Sequence, residues 1–110
     1  MLAACKQSGT AKYLYQNNVK GITLSNAVAN FDSVRGKYNV YITVSNDSVK
    51  YGQLYYVYAA FYKNGKKIGN TDGATPLNIK VGESNMMDFN YIAKTHDDQP
   101  DSVVFSSKVQ

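Results

Sequence analysis

The chain has little of what most enzymes and secreted scaffolds rely on: one cysteine, one histidine, one arginine, two prolines and no tryptophan. A single cysteine excludes an intramolecular disulfide and any multi-cysteine metal site. No apolar run approaches the roughly 20 residues that a membrane-spanning helix requires. G-x-S-x-G, H-E-x-x-H and phosphate-loop motifs are absent, and no carboxylate pair marks a glycosidase. We therefore expect no catalytic residues; the chain reads as a non-enzyme. Its 110 residues make one small domain, too short for a barrel enzyme or a doubly wound nucleotide-binding fold.

What the chain has in quantity is tyrosine, ten residues beside four phenylalanines. Aromatic and β-branched side chains fit a pleated, half-buried surface, which points to an all-β domain. The formal net charge is +4, and eleven of the twelve basic residues are lysines spread along the chain. Dispersed positive charge serves solubility, and lysine lacks the bidentate fork used on phosphate and guanine. Nucleic acid is not an expected partner.

Leu2-Ala3-Ala4-Cys5 resembles the lipobox of bacterial lipoproteins, in which a peptidase cuts before a cysteine that carries a diacylglyceryl group. Small residues before the cut let the backbone enter the peptidase, and the thiol is the site of lipidation. Met1 directly before Leu2 reads as a start codon ahead of a trimmed chain, since the basic and apolar regions of a signal peptide do not precede it. On this reading Cys5 holds the protein to the bacterial membrane or cell surface, outside the cytoplasm. Residues 1–16 then form the lipobox and a disordered tether, and residues 17–110 the folded domain. The competing reading is an incidental cysteine in a cytosolic protein.

Along the chain, Ile22 to Phe31 alternates weakly and is interrupted around Ser25 and Asn26, which predicts a strand with a bulge. Lys37 to Ser45 alternates cleanly, with Tyr38, Val40, Ile42 and Val44 on one side. Asn46-Asp47-Ser48 closes that strand as a turn; it also fits the N-glycosylation sequon, but the turn reading suffices. Gln53 to Tyr62 places Val57, Ala59 and Phe61 on one face and Tyr56, Tyr58 and Tyr62 on the other. Asn64-Gly65 is a strong hairpin signal, and Lys66 to Thr71 the return strand. Leu77 to Val81, the stretch marked by Met87, Phe89, Tyr91 and Ala93, and Val103 to Val109 complete about seven strands, the spacing of a β-sandwich. The expected core is Ile22, Leu24, Val40, Ile42, Val44, Val57, Phe61, Leu77, Ile79, Phe89, Tyr91, Val103 and Phe105.

From Gly36 to Tyr91, the runs G-K-Y-N-V-Y-I-T-V-S-N-D-S, Y-V-Y-A-A-F-Y-K-N-G-K-K-I-G and L-N-I-K-V-G-E-S resemble the FxLYD-type and related immunoglobulin-like domains of bacterial surface lipoproteins. The resemblance rests on Asn46 with its polar turn, Tyr62, the Lys63 to Lys66 hairpin, Gly82-Glu83 and Phe89. It implies an immunoglobulin-like antiparallel β-sandwich and no catalytic residues.

Tyr41, Tyr56, Tyr58 and Tyr62 would form one aromatic patch if the two strands that carry them pair antiparallel. Such a patch is either a binding surface or a set of ordinary cross-strand pairs. His96, Asp97, Asp98 and Asp101 could offer oxygen ligands to Ca²⁺, but their spacing matches no EF-hand, and a solvated acidic loop explains them. No metal and no cofactor are expected. The function expected is a membrane-anchored, non-enzymatic binding module for a protein or an envelope glycan. The alternative is a structural or accessory subunit of an envelope transport or secretion complex.

Overall fold

A computed structural model of the chain describes residues 11–48, 55–71, 79–93 and 95–109. These residues form seven strands: β1 (Lys12–Gln16), β2 (Ile22–Asp32), β3 (Lys37–Asn46), β4 (Tyr55–Lys63), β5 (Lys66–Thr71), β6 (Ser84–Ile92) and β7 (Ser102–Val109). A four-stranded sheet runs β1-β7-β4-β5 and a three-stranded sheet runs β2-β3-β6. The expected all-β sandwich of about seven strands is what the chain forms.

Three features depart from the sequence reading. Lys12–Gln16, expected in the tether, is β1, and it pairs in parallel with β7, Lys12 opposite Ser102 and Gln16 opposite Ser106. The folded domain therefore reaches back at least to residue 12, and the sandwich contains one parallel pair. The cause is the alternation K-Y-L-Y-Q, which turns Tyr13 and Tyr15 to one side. Both rings pack on Phe105, at centroid distances of 6.4 and 5.7 Å. Cys5 and residues 6–10 of the proposed tether lie outside the described residues.

The second departure concerns β3 and β4, which do not pair. β3 lies between β2 and β6, β4 between β7 and β5. Alternation fixes the face a residue takes and leaves the neighbour open. Here the apolar faces of the two strands meet across the sandwich, as inner faces of stacked sheets do. Val40, Ile42 and Val44 from β3 and Val57, Ala59 and Phe61 from β4 are all fully buried. Tyr38 of β3 meets Phe61 of β4 edge-on at 6.3 Å.

Of the expected core, Ile22, Leu24, Val40, Ile42, Val44, Val57, Phe61, Ile79, Phe89, Val103 and Phe105 are buried; Tyr91 is half-buried and packs against them. Leu77 lies outside the described residues. Among the described residues, Val19, Tyr38, Ala59 and Ala93 are also part of the buried core.

The β2 bulge falls where the alternation breaks. Ser25 opposes Thr43 and Val28 opposes Tyr41, so Asn26 and Ala27 share the space facing Ile42. Asn26 takes φ 58°, a left-handed conformation that asparagine tolerates better than most residues. The Ala27 amide, displaced from the ladder, donates to the Tyr15 hydroxyl at 2.9 Å. In the β4–β5 hairpin, Asn64 (φ 53°) and Gly65 (φ 77°) both lie in the left-handed region, the mirror-image turn whose twist matches its strands.

The strand expected over Leu77 to Val81 does not continue through Ile79–Val81. Instead Asn46 fastens this stretch to the end of β3: its side-chain amide donates to the Ile79 carbonyl at 2.6 Å, and its backbone bonds Gly82 and Glu83. Asn46 is 1% exposed, so the amide that a sequon would offer to a glycan is committed inside the fold.

Candidate functional site

Because Val57, Ala59 and Phe61 point inward, the intervening Tyr56, Tyr58, Ala60 and Tyr62 point outward from the four-stranded sheet. β4 is a central strand, so its outward file is flanked on both sides. Tyr62 lies opposite Ser102, Ala60 opposite Val104, Tyr58 opposite Ser106 and Tyr56 opposite Lys108. One strand further, Lys12, Leu14 and Gln16 continue the rows through Ser102, Val104 and Ser106. On the other side β5 sets Lys67 opposite Tyr62 and Asn70 opposite Ala60.

The outcome is a face with an apolar middle row, Ala60–Val104–Leu14, between Tyr62 and Tyr58. Leu14 is 53% exposed there. The Tyr56 and Tyr58 rings stand 6.3 Å apart, tilted by 41°. Lys12 and Lys67 flank the Tyr62 end and Lys108 the Tyr56 end, and none of these outward positions holds a carboxylate. The carboxylate of Asp101, which precedes β7, accepts a hydrogen bond from the Asn64 amide at 2.8 Å.

Tyr41 does not belong to this face. It points outward from the three-stranded sheet, in the row Val28–Tyr41–Asp88, on the opposite side of the sandwich. The single four-tyrosine patch is therefore corrected to a three-tyrosine file, because β3 and β4 are in different sheets. The Tyr41 face has another character. It carries the row Asn30–Asn39–Asn90 and sets Lys37 between Asp32 and Ile92, with Asp88 beside Tyr41.

The acidic segment is a short 3-10 turn, His96–Asp98, in which an Asp98 carboxylate oxygen accepts from the Thr95 amide. Among the described residues no three His, Cys, Asp or Glu side chains gather closely enough to hold a metal ion. Cys5 lies outside the described residues, and of the His96 side chain nothing is described.

Lys12, Leu14, Val104, Lys67 and Lys108 are members of the face that the sequence reading did not single out. The alternation K-Y-L-Y-Q was the available signal for the first two. The others become neighbours only through the β4–β7 and β4–β5 registers. No family model matches the chain, and neither a curated protein nor a solved structure matches it.

Proposed function

We propose that the protein is an extracytoplasmic, non-enzymatic binding module, anchored to the membrane through lipid on Cys5, and that its recognition surface is the outer face of β1-β7-β4-β5. The observation that carries the proposal is the file Tyr56, Tyr58 and Tyr62, outward on a central strand and bounded by lysines with no carboxylate among them. Tyrosine supplies rigid contact area with a hydroxyl that tolerates water, which is why it is enriched at interfaces and in paratopes. The L-A-A-C sequence supports the anchor. The two-sheet architecture is in keeping with the resemblance to FxLYD-type domains.

A second reading, an accessory subunit of an envelope complex, draws on a different observation: Val28 (62% exposed), Met86 (69%) and Ile92 (60%) on the strands of the three-stranded sheet. Single exposed apolar residues are ordinary on monomers, which leaves this reading second.

The test is a photoreactive tyrosine analogue placed at position 58 or at position 41 in cells that display the full chain. Crosslinks from position 58 and none from 41 are expected; crosslinks from 41 alone would select the three-stranded face. Tyr58→Ala should cost less than about 1 kcal/mol of stability, the scale of a lost cross-strand pair. A loss of several kcal/mol would make Tyr58 a structural residue. Fatty-acid labelling that is equal in wild type and Cys5→Ala would remove the anchor.

A further inference from the structure

We infer that the occupant of the tyrosine face is an acidic polysaccharide laid along β4; this rests on the reading of that face as the recognition surface. Three properties of the face select such a ligand. Its platform is linear: at about 3.3 Å per residue, Tyr58 and Tyr62 stand roughly 13 Å apart along the strand, the reach of a short run of sugar rings. The apolar C–H face of a pyranose stacks on an aromatic ring. The phenol at its edge both donates and accepts, matching sugar hydroxyls in either sense.

The second property is charge. Lys108 sits opposite Tyr56, and Lys12 and Lys67 belong to the row of Tyr62, so cations mark both ends of the tyrosine file and no Asp or Glu interrupts it. The opposite outer face carries Asp32 and Asp88 with Lys37, so the paired positions of the two outer faces differ in charge. All three cations are lysines, point charges on flexible stems that follow carboxylates spaced along a mobile chain. A fixed bidentate phosphate site would call for arginine.

The third property is the polar edging of the file. Ser102, Ser106 and Gln16 lie between and beside the aromatic and cationic positions. A hydroxyl-rich chain satisfies that mosaic with short hydrogen bonds along its length. An acidic protein segment brings few hydroxyls and would gain more from a recessed apolar anchor site.

The experiment uses the full 110-residue chain and three probes: hyaluronan or alginate as acidic polysaccharide, dextran as a neutral one, and poly-glutamate as an acidic polypeptide. Binding is followed by tyrosine fluorescence and by amide NMR shifts. Expected is binding of the acidic polysaccharide, with shifts clustered on β4 and β7 and weakening as salt rises past the screening range. Tyr58→Ala should cut affinity at least about tenfold, as removal of an aromatic hot spot does. Lys108→Gln should cut it several-fold, Tyr41→Ala should leave it unchanged, and dextran should not bind.

Absence of binding to both hyaluronan and alginate overturns the inference, as does binding that Tyr58→Ala leaves intact. Poly-glutamate bound as tightly as the polysaccharides, with the same Tyr58 dependence, overturns it in favour of an acidic protein. In that case the face stands as a recognition surface, and crosslinks from position 58 would persist. Loss of those crosslinks together with binding removes both.

Discussion

Tyr15 tests whether β1 belongs to the cooperatively folded body. Its ring is half-buried, stacked on Phe105 at 5.7 Å with an interplanar angle of 17°, and its hydroxyl accepts the Ala27 amide at the β2 bulge. One side chain thus joins β1 to its own sheet and to the facing one. Tyr15→Phe removes only the hydroxyl and leaves a part-buried amide without its acceptor, at a cost of about 1 kcal/mol. Tyr15→Ala adds the loss of a half-buried ring, roughly 1 kcal/mol for half the burial of an aromatic, and about 1 kcal/mol for the aromatic pair. The total is about 3 kcal/mol, a large share of the roughly 5–15 kcal/mol that holds a domain together.

Leu14→Ala, one residue away and outward, is the control and should fall within about 0.5 kcal/mol of wild type. Equilibrium urea denaturation followed by far-UV circular dichroism reads all three variants. A Tyr15→Ala midpoint indistinguishable from that of Leu14→Ala would refute the reasoning and return residues 12–16 to the tether.

Three further outcomes follow from the packing. Asn46→Ala should cost roughly 2–3 kcal/mol because the buried Ile79 carbonyl loses its donor, and Asn46→Asp should cost more, since it sets a carboxylate against that carbonyl; equal urea midpoints for wild type and Asn46→Ala would contradict this. A Cβ added at Gly69 would stand 2.9 Å from Cε1 of the Tyr91 ring, which packs on Phe61 at 5.3 Å. Gly69→Ala should therefore lose about 1–3 kcal/mol in a thermal melt, and combining it with Tyr91→Ala should cost less than the sum. Burial, reinforced by the hydrogen bond to the Tyr13 hydroxyl at 3.1 Å, pushes the Tyr38 phenol well above its ordinary range. The unfolded phenol ionises near pH 10 while the folded one keeps its proton, so this stabilisation is complete below that pH and drains away above it. Urea midpoints at pH 9 and 11 should fall more steeply in wild type than in Tyr38→Phe; equal slopes would refute the assignment.

Most of the strands were written plainly in the chain, though β1 was not, and the strand expected over Leu77 to Val81 does not continue through Ile79–Val81. β3, β4, β6 and β7 alternate, the break at Ser25 and Asn26 is a real bulge, and Asn64-Gly65 makes the turn its chemistry requires. Facing was legible as well: Tyr56, Tyr58 and Tyr62 point outward as the alternation demanded. Partnership was not legible, because a strand's period reports which side is buried and is silent about which edge meets it. Tyr41 therefore joins Tyr56, Tyr58 and Tyr62 only if β3 pairs with β4, which it does not. β1 escaped notice because it is five residues long, and its partner begins 90 positions later at Ser102. The buried role of Asn46 was equally hidden, since its acceptor is 33 residues distant and a polar residue after a strand normally marks a turn.

The parallel pairing of β1 with β7 also decides how the domain meets mechanical load. The chain enters β1 at Lys12, at the Ser102 end of the pair, and leaves β7 past Lys108, beyond the Gln16 end. Tension between the two flanks of the domain therefore pulls the strands in opposite directions along their own axes. All five paired positions from Lys12–Ser102 to Gln16–Ser106 take the strain together in shear, where a hairpin such as β4–β5 pulled from its open end would unzip one pair at a time. The time the domain survives under such a pull is set by the barrier to sliding β1 past β7, a rate, and not by its equilibrium stability. A domain pulled between its two flanks would lean on a strand of five residues.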